Sequence, residues 1–403
     1  MRALKVLYIT YLGLMEPIPK SQVTPYLIKL SKDVDIYLLS FEKKSLLKEH
    51  PKELESLKSN LKKNGIIWFM IKYHKKPLIL SSFYDVFKGL IISFYLIYKH
   101  KITIVHARSN IPIVIGFFLK IFTKIKLIYD RRGIMGEDHL EHSNWAKGGI
   151  LHRLSVRFEK AVIKRSDAIV VLTEWMNKYL QKNFRFAEKA NIKTIPCCVD
   201  LELFKNNNGK DGELVERYGL KDKFVFIYAG SLGTYNLLKE MLDFFITAKK
   251  EIPNAHFLIL THTSDRVLNS IEEKIPYENF TITYAERKKL PRFYSIGDAG
   301  LVFRRPSITA RASSPTKFSE YMAMGLPVVA GPEIGDLDEV INSNRVGSVL
   351  KNYSGAEYKK TVLDIIGLLK EKEELKKRCR DLSKTYFSLE EGSREYLSIY
   401  SLL

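Results

Sequence analysis

Residues 313–330 read SSPTKFSEYMAMGLPVVA. Ser314 is expected at a helix N-cap and Pro315 at the first helical position, where a missing N–H costs nothing. Gly325 suits the residue just past a helix, and Pro327 bars its continuation. Val328-Val329-Ala330 then predicts a short buried strand. A helix bounded this sharply beside a sheet leaves free N–H groups and Lys317 at its open end. Together these suit an anion, above all a phosphate.

Outward from this stretch, short β-rich runs alternate with helical patterns. Strands are predicted at 4–10, 34–41, 66–71, 102–107, 126–130 and 168–173, separated by helices at 24–32, 43–64, 83–99, 111–122 and 152–165, with another helix at 174–182. A strand, a turn and an Asn/Gly/Lys-rich stretch fill 192–212. The alternation then restarts with strands at 224–230, 256–262, 280–286, 299–305, 327–331 and 347–350. Helices are expected at 237–250, near 265–274, at 290–296 and 337–342, then over 356–384 and 390–403. This pattern predicts two doubly wound, mostly parallel α/β domains in series, with the boundary near Asp200.

The chain has 403 residues, ordinary globular composition, and 65 basic against 45 acidic side chains, a net charge of +20. Lysine-rich composition or an anionic partner accounts for that excess. Nucleic acid is the weakest partner, because no RNP-type motif, zinc finger or recognition helix is present. Cys197, Cys198 and Cys379 form no disulfide framework and no zinc spacing, which points to a reducing compartment. Asp33-Val34-Asp35 and Asp336-Leu337-Asp338 read as structural, so no metal is expected.

In such sheets ligands gather at the carboxyl ends of strands. The first domain offers the loop 11–22, Ala107-Arg108-Ser109 and Asp130-Arg131-Arg132-Gly133 there. The second offers Gly230-Ser231-Leu232-Gly233, Ala285-Glu286, Arg304-Arg305 and the segment 313–320. The glycine loop serves either a tight turn or a phosphate. Lys317, in a helix's first turn, opposes the helix dipole unless an anion is bound. Glu320 needs a donor, either a sugar hydroxyl pair or an Arg or backbone N–H. Asp130 reads equally as a structural ion pair or a catalytic carboxylate.

SSPTKFSEYMAMGLPVVA resembles the donor-binding segment of retaining glycosyltransferases of family 4, as do ERKKLPRFYSIGDAGLVF (286–303), IPCCVDLELF (195–204) and IYAGSLGTYNLLKEMLDFF (227–245). SQVTPYLIKLSK (21–32), IVHARS (104–109) and KLIYDRRGIMGED (126–138) are similar to one branch of that family. SLEEGSREYLSIY (388–400) is similar to its final helix. The resemblance implies the GT-B fold: two Rossmann-like domains facing across a cleft, 1–199 on the acceptor side and 200–384 binding the nucleotide sugar. A helix of about 385–403 would cross back to the first. It implies transfer of a sugar, with retained configuration, from a nucleoside-diphosphate sugar to a glycan or lipid-linked glycan. Cell-surface polysaccharide synthesis in the cytoplasm, peripheral to an anionic membrane surface, is the expected setting, and no cofactor is expected.

Carried over by residue, Ser314, Thr316 and Lys317 hold the donor diphosphate, and Gly230, Ser231 and Gly233 lie under it. Arg304 and Arg305 add positive charge, Glu320 takes the ribose hydroxyls, and Tyr284 and Ala285 face the base. Asp130 falls where many members carry a catalytic histidine, and Lys317 joins it in catalysis. Ser21, Gln22, Arg108, Arg131 and Arg132 lie on the acceptor side. Three departures stand out: the first glutamate of E-x7-E is Ala312, the usual donor-loop Arg is Ser231, and the Lys a few residues on is missing. Ala312 and Ser231 leave open a non-catalytic nucleotide-sugar binder; another GT-B enzyme, such as a nucleotide-sugar epimerase, is a separate alternative.

Overall fold

The computed structural model describes residues 4–74, 78–142, 146–184, 191–205, 209–232, 236–262, 268, 271 and 274–403. The chain divides into two compact units, Met1–Pro196 with Leu389–Leu403, and Cys197–Ser388. The expected helix near 265–274 lies mostly outside the described residues.

The first unit is built on a seven-stranded sheet of β1 (Lys5–Thr10), β2 (Asp35–Glu42), β3 (Ile67–Lys72), β4 (Ile104–Arg108), β5 (Lys126–Asp130), β6 (Ala168–Val171) and β7 (Asn191–Thr194). Their order is β3-β2-β1-β4-β5-β6-β7, and every pairing is parallel. β4 and β6 are buried at every position, as apolar runs covered on both faces must be. The final helix, Leu389–Leu402, belongs to this unit. It packs on the helix Thr24–Leu30, with Tyr396 edge-on to Tyr26 at 5.5 Å, and buries Ile399 and Tyr400.

The second unit has a six-stranded parallel sheet of β8 (Phe224–Ala229), β9 (Ala255–Leu260), β10 (Phe280–Thr283), β11 (Ala299–Val302), β12 (Val328–Ala330) and β13 (Gly347–Val349). Its order is β10-β9-β8-β11-β12-β13. Each unit is thus a doubly wound Rossmann-like layer. The direction of winding reverses between β1 and β4 in one, and between β8 and β11 in the other. Those reversal points open crevices at the strand carboxyl ends.

Local differences from the expected elements have simple causes. The charged stretch 43–64 is two helices, Lys44–Glu49 and Pro51–Lys63, because Pro51 lacks the N–H that a continuous helix would need. The stretch 356–384 likewise splits into Gly355–Leu369 and Lys372–Tyr386. The helix expected at 83–99 extends from Leu78 to His100.

Candidate functional site

In the second unit the helix of the opening stretch runs Thr316–Met324. Gly325 ends it in the left-handed conformation (φ 72°), as expected of a C′ glycine. Tyr321 seats it on the sheet: the Tyr321 ring lies where a Cβ on Gly300 of β11 would be 2.5 Å away, and its hydroxyl accepts the Ala229 N–H at 3.1 Å. No side chain other than hydrogen fits at Gly300 without displacing this anchor.

The helix start differs from expectation by one residue. The N-cap is Pro315, without a side-chain cap bond, and not Ser314. Ser314 Oγ instead accepts the Cys197 N–H at 3.1 Å, so it ties down the segment before the helix. No side chain caps this half-buried helix start and no acidic residue lies in its first turn; the Phe318 N–H turns back to the Pro315 carbonyl at 3.0 Å, and the Thr316 and Lys317 amides precede it.

Two neighbouring strand ends face this turn. After β8, Gly230 takes φ +141°, and a Cβ there would lie 3.2 Å from Lys317 Nζ. The loop is held by its Ser231 carbonyl, which accepts from Tyr228 Oη at 2.8 Å and from Asn236 Nδ2 at 2.7 Å. Gly233 lies outside the described residues. After β11, Arg304 Nη1 donates to Ser313 Oγ at 2.5 Å, and its carbonyl accepts from Tyr353 Oη at 2.8 Å. Arg305 is exposed and joins none of these contacts.

Lys317 is the unusual member. Its Nζ lies 3.9 Å from the centre of the Tyr228 ring, and no carboxylate bonds to it among the described residues. Burial, and after it the charge of Arg304, lower its pKa to about 7, with Glu320 opposing. An ammonium held this way lacks a counterion, and a diphosphate would supply one.

Glu320 is buried about one turn from the helix start. One oxygen accepts from Arg287 Nη1 at 2.5 Å and the other from Tyr294 Oη at 3.0 Å. Its donors are therefore Arg287, the kind of partner the sequence offered as one alternative, and Tyr294, which it did not. Arg287 also lies over the Phe204 ring at 5.1 Å. Beyond β10, Ala285 is buried, and the half-exposed Tyr284 lies against His262 with the rings tilted by 35° and their centres 3.8 Å apart. Ala312, at the missing glutamate's position, is buried against protein.

In the first unit, β4 and β5 place Arg108 beside Asp130 in register. Asp130 is fully buried, with Oδ2 3.0 Å from Arg108 Nη1, 2.8 Å from Arg132 Nη2 and 3.3 Å from His106 Nε2. Burial alone would raise its pKa, but Arg132 and Arg108 outweigh that and hold the carboxyl well below its usual range. The carboxylate is thus held ionised by two guanidinium groups. Tyr396 and Tyr400 of the final helix complete the cluster: Tyr396 Oη bonds Arg132 Nη2 at 2.5 Å, and Tyr400 Oη lies 2.7 Å from His106 Nδ1. Burial lowers the His106 pKa, which keeps the ring neutral.

Three of the expected acceptor-side residues are buried among protein partners. Arg131 is buried in an ion pair with Glu159 at 2.7 Å, so its charge is spent on packing the helix Ile150–Arg165. Ser21 is buried and donates to the Ile18 carbonyl at 2.9 Å, within its own helical turn. Gln22 is buried beside it. Sequence reading also missed a polar trio at the ends of β1 and β3. Buried Asp85 accepts from Tyr11 Oη at 3.0 Å and lies 2.6 Å from His74 Nδ1, so one carboxylate orients both rings. Among the described residues no three His, Cys, Asp or Glu side chains are grouped to hold a metal ion.

Two family profiles divide the chain between them. Glycosyltransferase Family 4 matches residues 31–203, and Glycosyl transferases group 1 matches residues 212–384. An uncharacterized glycosyltransferase of Methanocaldococcus jannaschii is 23% identical over 327 residues, 77% of this chain and 78% of its own. The Anabaena protein HepE, solved with UDP and glucose, superposes with a TM-score of 0.73 at 13% identity, over 99% of this chain and 100% of its own. Sucrose-phosphate synthase of Thermosynechococcus elongatus gives 0.71 at 14% identity, over 99% and 98%. At such identities the likeness is one of fold.

Proposed function

The chain belongs to the glycosyltransferases that join a family 4 half to a group 1 half in the GT-B fold, and on that premise we propose that it moves a sugar from a nucleoside-diphosphate sugar to a hydroxyl of a glycan or lipid-linked glycan, with retention of configuration. The reading is carried by Lys317, an ammonium without a carboxylate partner among the described residues, set in the first turn of an uncapped helix beside the Gly230 loop.

The chemistry asks for charge stabilisation at the leaving group. As the bond from sugar to diphosphate breaks, negative charge grows on the phosphate while the sugar gains oxocarbenium character. Lys317, Arg304 and the amides of Thr316 and Lys317 stabilise that charge more in the transition state than in the ground state. One donor of this kind is worth about 3 kcal/mol, roughly a hundredfold in rate. Glu320 accepts one bond per oxygen from Arg287 and Tyr294, and each oxygen keeps a second lone-pair position for a ribose hydroxyl. Tyr284, tilted against His262, offers a half-exposed ring to the base. In the first unit we assign Asp130 a positioning role: it fixes the guanidinium groups of Arg108 and Arg132 at the strand ends, toward the acceptor.

A panel of nucleoside-diphosphate sugars, with UDP-glucose as the first probe, tests the reading by thermal shift. A bound donor raises the Tm, and release of the nucleoside diphosphate then depends on an added glycan acceptor. Coupling constants of the product's anomeric proton report retention. No Tm shift with any donor would overturn the assignment. Binding without turnover would leave a nucleotide-sugar binder, and acceptor-independent conversion of the sugar would mark an epimerase.

A further inference from the structure

One face of the first unit is apolar where water should meet it. On the helix Leu78–His100, Phe83, Phe87, Ile91, Tyr95 and Tyr98 are each more than half exposed. Their spacing of three and four residues puts them on a single side. The opposite side packs inward. Gly89 lets the neighbouring helix, Asn110–Phe122, approach until a Cβ there would sit 2.7 Å from Ile115 Cδ1. Phe122, also mostly exposed, meets Phe94 with ring centres 6.4 Å apart and extends the patch onto that second helix. Phe117 joins the second helix to a third, Ile150–Arg165, through Phe158 at 5.2 Å. The third helix exposes Ile150 and Leu154.

Charge on this layer is one-sided. The three helices carry eight Lys and Arg residues and two acidic ones, Asp85 and Glu159. Both acids are buried, Asp85 with His74 and Glu159 with Arg131. Of the eight cations only Lys120 pairs with a carboxylate among the described residues, Asp167 at 2.6 Å. Lys99 instead bonds Tyr95 Oη at 2.7 Å with its Nζ 5.0 Å from the ring centre, and Lys88 lies 6.0 Å from the Tyr84 ring. Aromatic rings alternating with unpaired cations are what an interface of acyl chains and anionic headgroups binds. A second copy of the chain would bring cation against cation. Among the described residues no helix is long and apolar enough to cross a membrane.

We propose that the exposed face of the helix Leu78–His100, with the cationic helices beside it, docks this protein flat on an anionic lipid surface. The aromatic side chains enter the headgroup region, and the lysines and arginines neutralise lipid phosphates. Vesicle flotation of the full chain tests this independently of any donor chemistry. Vesicles of equal parts phosphatidylcholine and phosphatidylglycerol carry the protein up, phosphatidylcholine alone carries far less, and added salt weakens the binding. The exposed triple variant Arg153→Glu/Arg157→Glu/Lys164→Glu loses about fivefold in partitioning per altered charge. Phe87→Ser/Tyr98→Ser floats several-fold less while keeping the wild-type melting temperature. No flotation with the anionic vesicles, or equal flotation of all variants, overturns the proposal. So does a wild-type dimer in light scattering that Phe87→Ser/Tyr98→Ser makes monomeric, because a second copy would then cover the face.

Discussion

Lys317 Nζ rests 3.9 Å from the centre of the Tyr228 ring, an ammonium faced by an aromatic ring instead of a carboxylate. Its pKa is lowered to about 7, chiefly by burial and then by Arg304. A bound diphosphate favours the charged form. Affinity for UDP-glucose is therefore expected to hold below pH 7 and to fall by up to about tenfold per pH unit above it. The sugar ester leaves the donor's own diphosphate with no proton to lose in that range. Titration calorimetry across the range measures the slope, and Lys317→Arg abolishes it. A flat profile in the wild type would separate Lys317 from the phosphates. The same group burdens the free protein. Unfolded, the lysine binds its proton up to 10.5; folded, only to about 7. The penalty is complete below pH 7 and is relieved as pH rises toward 10.5. Lys317→Met should thus raise the Tm under mildly acidic conditions while losing donor affinity, the opposite signs expected at a functional site.

Gly230 makes the adjoining prediction. Its φ of +141° suits glycine, and an added Cβ would press on Lys317 Nζ at 3.2 Å and Tyr228 Oη at 3.4 Å. Gly230→Ala is expected to cost about 1–3 kcal/mol in urea unfolding and to raise KM for the donor. Ser231→Ala should be mild by comparison, because that loop is held through the Ser231 carbonyl rather than its hydroxyl. Equal effects of the two substitutions would argue against this division.

Much of this was legible in the chain. Apolar runs between helical patterns gave the two parallel sheets, and Gly325 and Pro327 marked the helix end correctly. The helix start was misread by one residue because Ser314 and Pro315 both satisfy N-terminal rules. The long-range bond from the Cys197 N–H decides how Ser314 is used. Long-range pairing also hid the partners of Glu320. Arg287 sits 33 positions away and Tyr294 sits 26 away, so no local spacing announces them. The same limit applies to Asp130. Adjacent Arg131 and Arg132 look equivalent in sequence, yet just past the end of β5 one turns to Glu159 and the other to Asp130. The exposed aromatic face of the helix Leu78–His100 was not legible either, because periodicity marks an apolar side without showing whether anything covers it.

Glu320 couples stability to nucleotide recognition. Glu320→Ala strands Arg287 and Tyr294, and the loss should be about 2–3 kcal/mol in urea unfolding, since Arg287 is partly solvated. A double-mutant cycle with Arg287→Ala should return a coupling of about 1–2 kcal/mol. Glu320→Gln separates the second role. If the carboxylate takes ribose hydroxyls, wild-type protein prefers UDP to 2′-deoxy-UDP, and Glu320→Gln loses most of that preference. A preference that survives Glu320→Gln would assign ribose recognition elsewhere.

Asp130 is expected to act through the arginines it holds. Its carboxyl titrates well below its ordinary 3.8, because Arg132 and Arg108 outweigh the burial that would raise it. A depressed folded-state pKa contributes stability that is full above 3.8 and is lost as pH falls below that value toward the folded one. Asp130→Asn removes the charge and leaves two guanidinium groups facing each other in a nearly dry cluster. A cost of about 3–5 kcal/mol is expected. The acid limb of the stability profile should flatten in the variant, which a merely volume-changing substitution would not cause. Donor affinity belongs to the second unit and should stay at its wild-type value, while turnover falls as Arg108 and Arg132 lose their placement. Conversely, an Asp130→Asn protein as stable as the wild type, binding donor normally yet unable to transfer sugar, would place this carboxylate among the reacting atoms.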